Sequence, residues 1–125
     1  IIAAAQPAAK QPLIALLQAG RTRIAFSLYK STKKEWQAEG GVRSGTVDEL
    51  INEIESPTIV AGELSAEDRK KFSKKKSVML ATPVLCLRRP SVLEELAWAR
   101  WQNDEVDDAA ALAPIYLHVA GTPIA

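Results

Sequence analysis

Apolar and polar positions change rhythm along this chain, and each change marks a new element. Leu13-Ile14-Ala15-Leu16-Leu17 is apolar at every position, as expected of a strand buried on both faces. Beyond Gly20, Ile24, Phe26 and Leu28 alternate with Ala25, Ser27 and Tyr29, the period of two of a strand with one face on a core. The short link between these runs predicts an antiparallel hairpin. A third, more polar strand is expected around Glu35-Trp36-Gln37-Ala38, closed by Gly40-Gly41 and suited to a sheet edge.

The rhythm then lengthens. Thr46-Val47-Asp48-Glu49 reads as a capping box, in which hydroxyl and carboxylate each satisfy a free backbone N–H at a helix start. Val47, Leu50, Ile51 and Ile54 follow on one helical face, and Pro57 stops the helix. Thr58-Ile59-Val60-Ala61 is a short buried strand ending at Gly62. Ser65-Ala66-Glu67-Asp68 opens a second helix, acidic first and basic after, as the helix dipole favours. Val78-Met79-Leu80 is a further strand, and Ser91-Val92-Leu93-Glu94 reads as another capping box opening a helix to about Asn103. The predicted order is strand, strand, strand, helix, strand, helix, strand, helix. Three antiparallel strands followed by crossovers give an α/β fold with a mixed sheet. That order resembles the ribonuclease-H-like lobe that occurs twice in actin, Hsp70-type ATPases and sugar kinases. One lobe is expected, over 13–125, with 1–12 the remnant of a preceding helix or linker.

Composition narrows the classes. With 47% hydrophobic and 25% charged residues in 125, the chain is an ordinary globular domain. A formal net charge of +1 gives no overall pull toward nucleic acid or membrane. No apolar run approaches the roughly 18 residues that span a bilayer, and the start lacks the charged flank of a signal peptide. A single cysteine, Cys86, excludes an internal disulfide framework and points to a reducing, cytoplasmic setting. The chain begins without methionine in an alanine-rich stretch, which reads as a fragment.

The carboxy-terminal stretch carries a resemblance. Leu96-Ala97-Trp98-Ala99-Arg100-Trp101 is followed by Asp107-Asp108-Ala109-Ala110-Ala111-Leu112-Ala113-Pro114-Ile115-Tyr116-Leu117. A helix, an acidic turn and a Pro-x-Tyr-Leu segment in this order resemble the tail of the TsaB (YeaZ-like) family. The turn Gln18-Ala19-Gly20-Arg21, with Ile24 and Tyr29 beyond it, is similar to the start of that family's second lobe. Gln18 stands where many members have aspartate, and Gly20 where many have arginine. The family's first-lobe motifs, an Asp-Thr-Ser-like strand and a Gly-Pro-Gly-Ser-Phe-Thr-Gly-like segment, do not occur in this sequence. The resemblance implies a non-catalytic second lobe. Its protein would support threonylcarbamoylation of tRNA adenosine beside a catalytic TsaD-like paralogue, contacted mainly through the first lobe. The family's older description as glycoprotease-like keeps an enzyme in view, glycoprotease-like or kinase-like, with its active site in the other lobe. A third reading is a plain interaction module that pairs with a second copy.

Within the chain no constellation for chemistry stands out, so no catalytic, cofactor-binding or metal-binding residue is assigned and no cofactor is expected. The lone His118 and lone Cys86 lack supporting context, and no His-Glu-x-x-His or Gly-x-Ser-x-Gly motif occurs. Gly40-Gly41 is better read as a turn than as a nucleotide loop. Glu94 and Glu95, neighbours on a helix, project about 100° apart and do not converge. Asp107 and Asp108 suit a turn or helix start, where their oxygens take backbone N–H groups. Cys86 reads as a small buried apolar residue. Arg88-Arg89 can either hold an anion at the last helix or pair with nearby carboxylates.

Two surfaces remain. Arg69, Lys70, Lys71, Lys74, Lys75 and Lys76 are six of the 16 basic residues, and Lys74, Lys75 and Lys76 are candidate RNA contacts. At helical spacing these charges spread around a helix anchored by Phe72, which also describes a solvated face; tRNA contact is otherwise expected to be indirect. On the last helix, Leu93, Leu96, Ala97, Arg100 and Trp101 share the face assigned to the core. Trp98 and Gln102 lie off it as a candidate protein interface, facing another lobe, a second copy, or the chain's own tail at Ile115 and Leu117.

Overall fold

The computed structural model describes residues 1–33 and 35–114. It divides into two compact units, one formed by Ile2–Leu87 and the other beginning at Arg88. The first unit is an α/β layer structure. Its strands are β1 (Leu13–Gln18), β2 (Ile24–Thr32), β3 (Glu35–Gly45), β4 (Thr58–Gly62) and β5 (Val78–Leu80). Helix α1 (Val47–Glu53) precedes β4, helix α2 (Ala66–Ser73) precedes β5, and a 3-10 turn occupies Pro83–Cys86. The second unit contains helix α3 (Pro90–Gln102). The sheet order is β3-β2-β1-β4-β5. β1 pairs antiparallel with β2 and parallel with β4, and β5 continues the parallel side.

The all-apolar run makes β1 the central strand because it is covered from both sides. Ile14 and Leu16 join Phe26, Val47, Leu50, Ile54, Val60 and Phe72 in one buried cluster. That cluster is the face on which α1 and α2 lie. Leu13 turns the other way and packs with Ile2, Ala3, Ala61 and Cys86. The segment before β1 is therefore packed material: Gln6 is buried, its Nε2 donates to Ile2 and Leu85 carbonyls, and its own carbonyl accepts from Trp36 Nε1. Cys86 is buried as a small apolar residue, as expected.

The capping box at α1 forms in both directions, with Glu49 Oε2 accepting from Thr46 N at 2.7 Å and Thr46 Oγ1 from Glu49 N at 3.2 Å. Ser65 caps α2 through Asp68 N at 3.1 Å. Three expectations are corrected. β3 does not close at Gly40-Gly41 but runs on to Gly45; between Phe26↔Arg43 and Leu28↔Glu39, three residues of β3 face one of β2. Gly40, at φ 77°, supplies the left-handed conformation such a bulge requires. Second, α3 starts at Pro90 with Arg89 as N-cap and no side-chain cap, so Ser91-Glu94 is not a capping box. Proline fits the first helical turn, where its missing N–H costs nothing, and this sets the start ahead of Ser91. Third, α2 ends at Ser73, so Lys75 and Lys76 lie past the helix and not around it.

Candidate functional site

The functional surface with the most converging chemistry is a polar cleft of ≈360 Å3 lined by Gln18, Arg21, Arg23, Asp48, Glu67 and Lys71, among others. It sits beyond the carboxyl ends of β1 and β4, the end of a parallel sheet region where α/β proteins place ligands. Each wall follows from local sequence. The turn after β1 is closed by Ala19 N donating to Arg23 O at 2.9 Å. Arg23 Nε then donates to Ser44 Oγ at 3.2 Å, tying that turn to β3. Asp48 in the first turn of α1 and Lys71 in the last turn of α2 lie 3.2 Å apart, bridging the two helices across the cleft. That hydrogen bond and the Asp48 charge hold the Lys71 ammonium above its ordinary range. Glu49, just outside, lies below the usual carboxylate range because it accepts from the Thr46 backbone and hydroxyl.

Arg21, Arg23 and Lys71 face Asp48, Glu67 and Asp68, three cations against three carboxylates. Such a lining suits a small polar or doubly charged molecule. Two of its three carboxylates are already engaged: Asp48 is bound to Lys71, and Asp68 accepts from Ser65 Oγ at 2.6 Å. Among the described residues, no group of three or more His, Cys, Asp or Glu could hold a metal ion. No described helix is long and apolar enough to cross a membrane. The cleft was missed in the sequence because its residues are scattered from 18 to 71, and each already had a local reading as turn, cap or solvated charge. The signal that could have found them was the coincidence of two helix caps with the arginine-rich hairpin turn.

The residues singled out beforehand do not meet here. Lys74 takes the C-cap position of α2 in helical conformation, and Lys75 and Lys76 follow in the turn to β5. Trp98 and Gln102 lie on α3, with the Trp98 and Trp101 rings 5.1 Å apart. Within its own unit α3 buries no residue, so the core face assigned to Leu93, Leu96, Ala97, Arg100 and Trp101 is corrected there: Trp98 and Trp101 are alike 58% and 60% exposed. Arg100 is instead turned to the acidic segment, gripping Asp107 through Nη1 and Nη2 at 3.1 and 3.2 Å. This bidentate pairing holds the Asp107 carboxyl below its usual range. Asp108 makes the expected turn, its Oδ1 accepting from Ala110 N at 2.9 Å. Ile115, Tyr116, Leu117 and His118 fall outside the described residues, and with them the Pro-x-Tyr-Leu part of the tail.

Against known proteins, no family model matches the chain, and no curated protein matches it. Among solved structures, a crystal structure of an uncharacterized protein with similarity to peptidase YeaZ, from Pseudomonas aeruginosa, is similar at a TM-score of 0.59 and 14% identity. The fold is YeaZ-like. The match covers 87% of this chain and 50% of that one, so this chain spans about half the length of the protein it matches. At this identity the likeness speaks for fold alone.

Proposed function

We propose that this chain is the second, ribonuclease-H-like lobe of a TsaB-like protein, cytoplasmic and without catalysis of its own. It would act as a scaffold beside a TsaD-like paralogue in threonylcarbamoylation of tRNA adenosine. The observation that carries the reading is the YeaZ-like fold, spread over only half of a YeaZ-like chain. The sheet order β3-β2-β1-β4-β5, antiparallel on one side and parallel on the other, supports the finer assignment to an actin-like lobe. Pairing within the cleft supports a structural role: Asp48 is bound to Lys71 and Asp68 accepts from Ser65 Oγ.

The test is reconstitution of the protein carrying this chain with its TsaD-like paralogue, the remaining pathway enzymes, threonine, bicarbonate, ATP and tRNA. Nucleoside mass spectrometry is expected to detect the modified adenosine only when this protein is present. Full modification in its absence would sink the scaffold reading and leave a shared fold.

A further inference from the structure

α2 ends in more positive charge than the fold uses. Lys71 pairs with Asp48 at 3.2 Å, and Arg69 Nη2 donates to the Ala81 carbonyl at 3.0 Å. Among the described residues, Lys70, Lys74, Lys75 and Lys76 take part in no ion pair. Lys70 and Lys74 are both exposed and four residues apart, and Lys74 keeps helical backbone angles (φ −77°, ψ −20°). They therefore project from one side of the helix a turn apart, where like charges repel. Lys76 is exposed in the turn that follows, and Val78 N donates to Lys75 O at 3.0 Å to fold that turn tightly. The chain thus concentrates four uncompensated ammonium groups in seven residues, on a protein whose net charge is only +1.

We propose that Lys70, Lys74, Lys75 and Lys76 form a docking surface for the phosphate backbone of RNA. The choice of RNA as the polyanion rests on the function proposed above. The surface itself argues against a lipid headgroup layer. Basic membrane-surface helices carry aromatic or aliphatic groups free to enter the bilayer, whereas the one aromatic residue here, Phe72, is fully buried in the core. Lysine ammonium groups read charge and not base identity, so the contact orients RNA without selecting sequence.

The 125-residue chain would be titrated into a fluorescently labelled stem–loop RNA, with anisotropy read between about 50 and about 200 mM NaCl. About four phosphate contacts give a slope of log K against log salt of about −3. The triple variant Lys70→Gln/Lys74→Gln/Lys76→Gln is expected to lose about tenfold or more in affinity and to flatten the slope by about 2 to 3. Arginine at the same three positions is expected to retain binding. Lys10→Gln/Lys30→Gln/Lys33→Gln removes as much charge from outside both the patch and the cleft and is expected to change affinity by no more than about twofold. Equal losses in the two glutamine triples, or none in the first, would overturn the proposal. So would a patch-dependent affinity for phosphatidylserine vesicles with none for RNA. The reconstitution separates this proposal from the reading beneath it. Modification that needs the protein but ignores the patch variant, with RNA binding also intact, defeats the patch alone. A patch that binds RNA in a protein dispensable for modification defeats the scaffold alone.

Discussion

At the scale of single residues, Gly62 is the least replaceable position in the sheet. It ends β4 at φ 145°, and a β-carbon there would overlap the Leu16 carbonyl oxygen and lie 2.8 Å from its carbonyl carbon. Leu16 is its direct partner on β1, so the obstacle is backbone that cannot swing aside. Gly62→Ala is expected to cost about 3 kcal/mol or more in a chemical denaturation curve. Gly41→Ala, which meets open space, should stay within about 0.5 kcal/mol. Glu49 supplies a second residue-scale test. Its folded pKa is lowered by the Thr46 backbone and hydroxyl, so its stabilising effect is full above the ordinary carboxylate pKa and fades as pH falls through the folded value. Glu49→Gln is therefore expected to flatten the acid side of the stability–pH profile, read by thermal melts between about pH 3 and about pH 6. A variant that keeps the full acid slope would place that slope on other carboxylates.

At the scale of elements, caps proved legible where side-chain chemistry set the helix start and illegible where backbone did. Thr46-Glu49 and Ser65-Asp68 formed as the sequence pattern implies. Ser91-Glu94 has the same lettering, but Pro90 had already fixed the first turn of α3. The far end of α3 shows the complementary case. Asp104 N donates to Trp101 O and Glu105 N to Arg100 O, at 3.1 and 2.9 Å, a Schellman closure with Asp104 at φ 57°. Aspartate is poor there twice over: it tolerates the left-handed region less well than glycine, and its charge opposes the carbonyl end of the helix. Asp104→Gly is expected to raise stability by about 0.5 to 1 kcal/mol, measured as helix content against temperature by circular dichroism. Unchanged melting would mean that the end of α3 is set by the Arg100–Asp107 pairing instead.

At the scale of the molecule, the strand sequence of the sheet could be read from periodicity because each buried strand carries its own apolar record. β1 announces its central place by an unbroken apolar run from Leu13 to Leu17, and β2 its one-sided core by alternation. Helix placement was less legible: nothing in the lettering of α1 and α2 says that both cover the same face, where Leu50 and Phe72 join Leu16 and Val60 in one buried cluster. The role of Ile2 and Ala3 was hidden too, since an alanine-rich stretch looks alike whether it leads into a domain or covers its sheet. The cleft was hardest to foresee, because charge convergence is a property of the folded topology and not of spacing along the chain. In the second unit, amphipathic lettering on α3 marks out a face without saying whether anything covers it.

The widened stretch of β3 bears on how this protein behaves when crowded. β3 is an outer strand of 11 residues, long enough to act as a template on which another molecule could lay down backbone hydrogen bonds. With Gly40, Gly41 and Val42 facing Ser27 alone, the template is broken near its middle into two short runs of differing direction. An approaching strand that matches one run is out of step with the other, so growth by edge addition stalls after a few residues. The cost is a local loss of regular pairing; the gain is resistance to fibril seeding at high concentration, carried by a glycine pair where an added β-carbon would meet only open space.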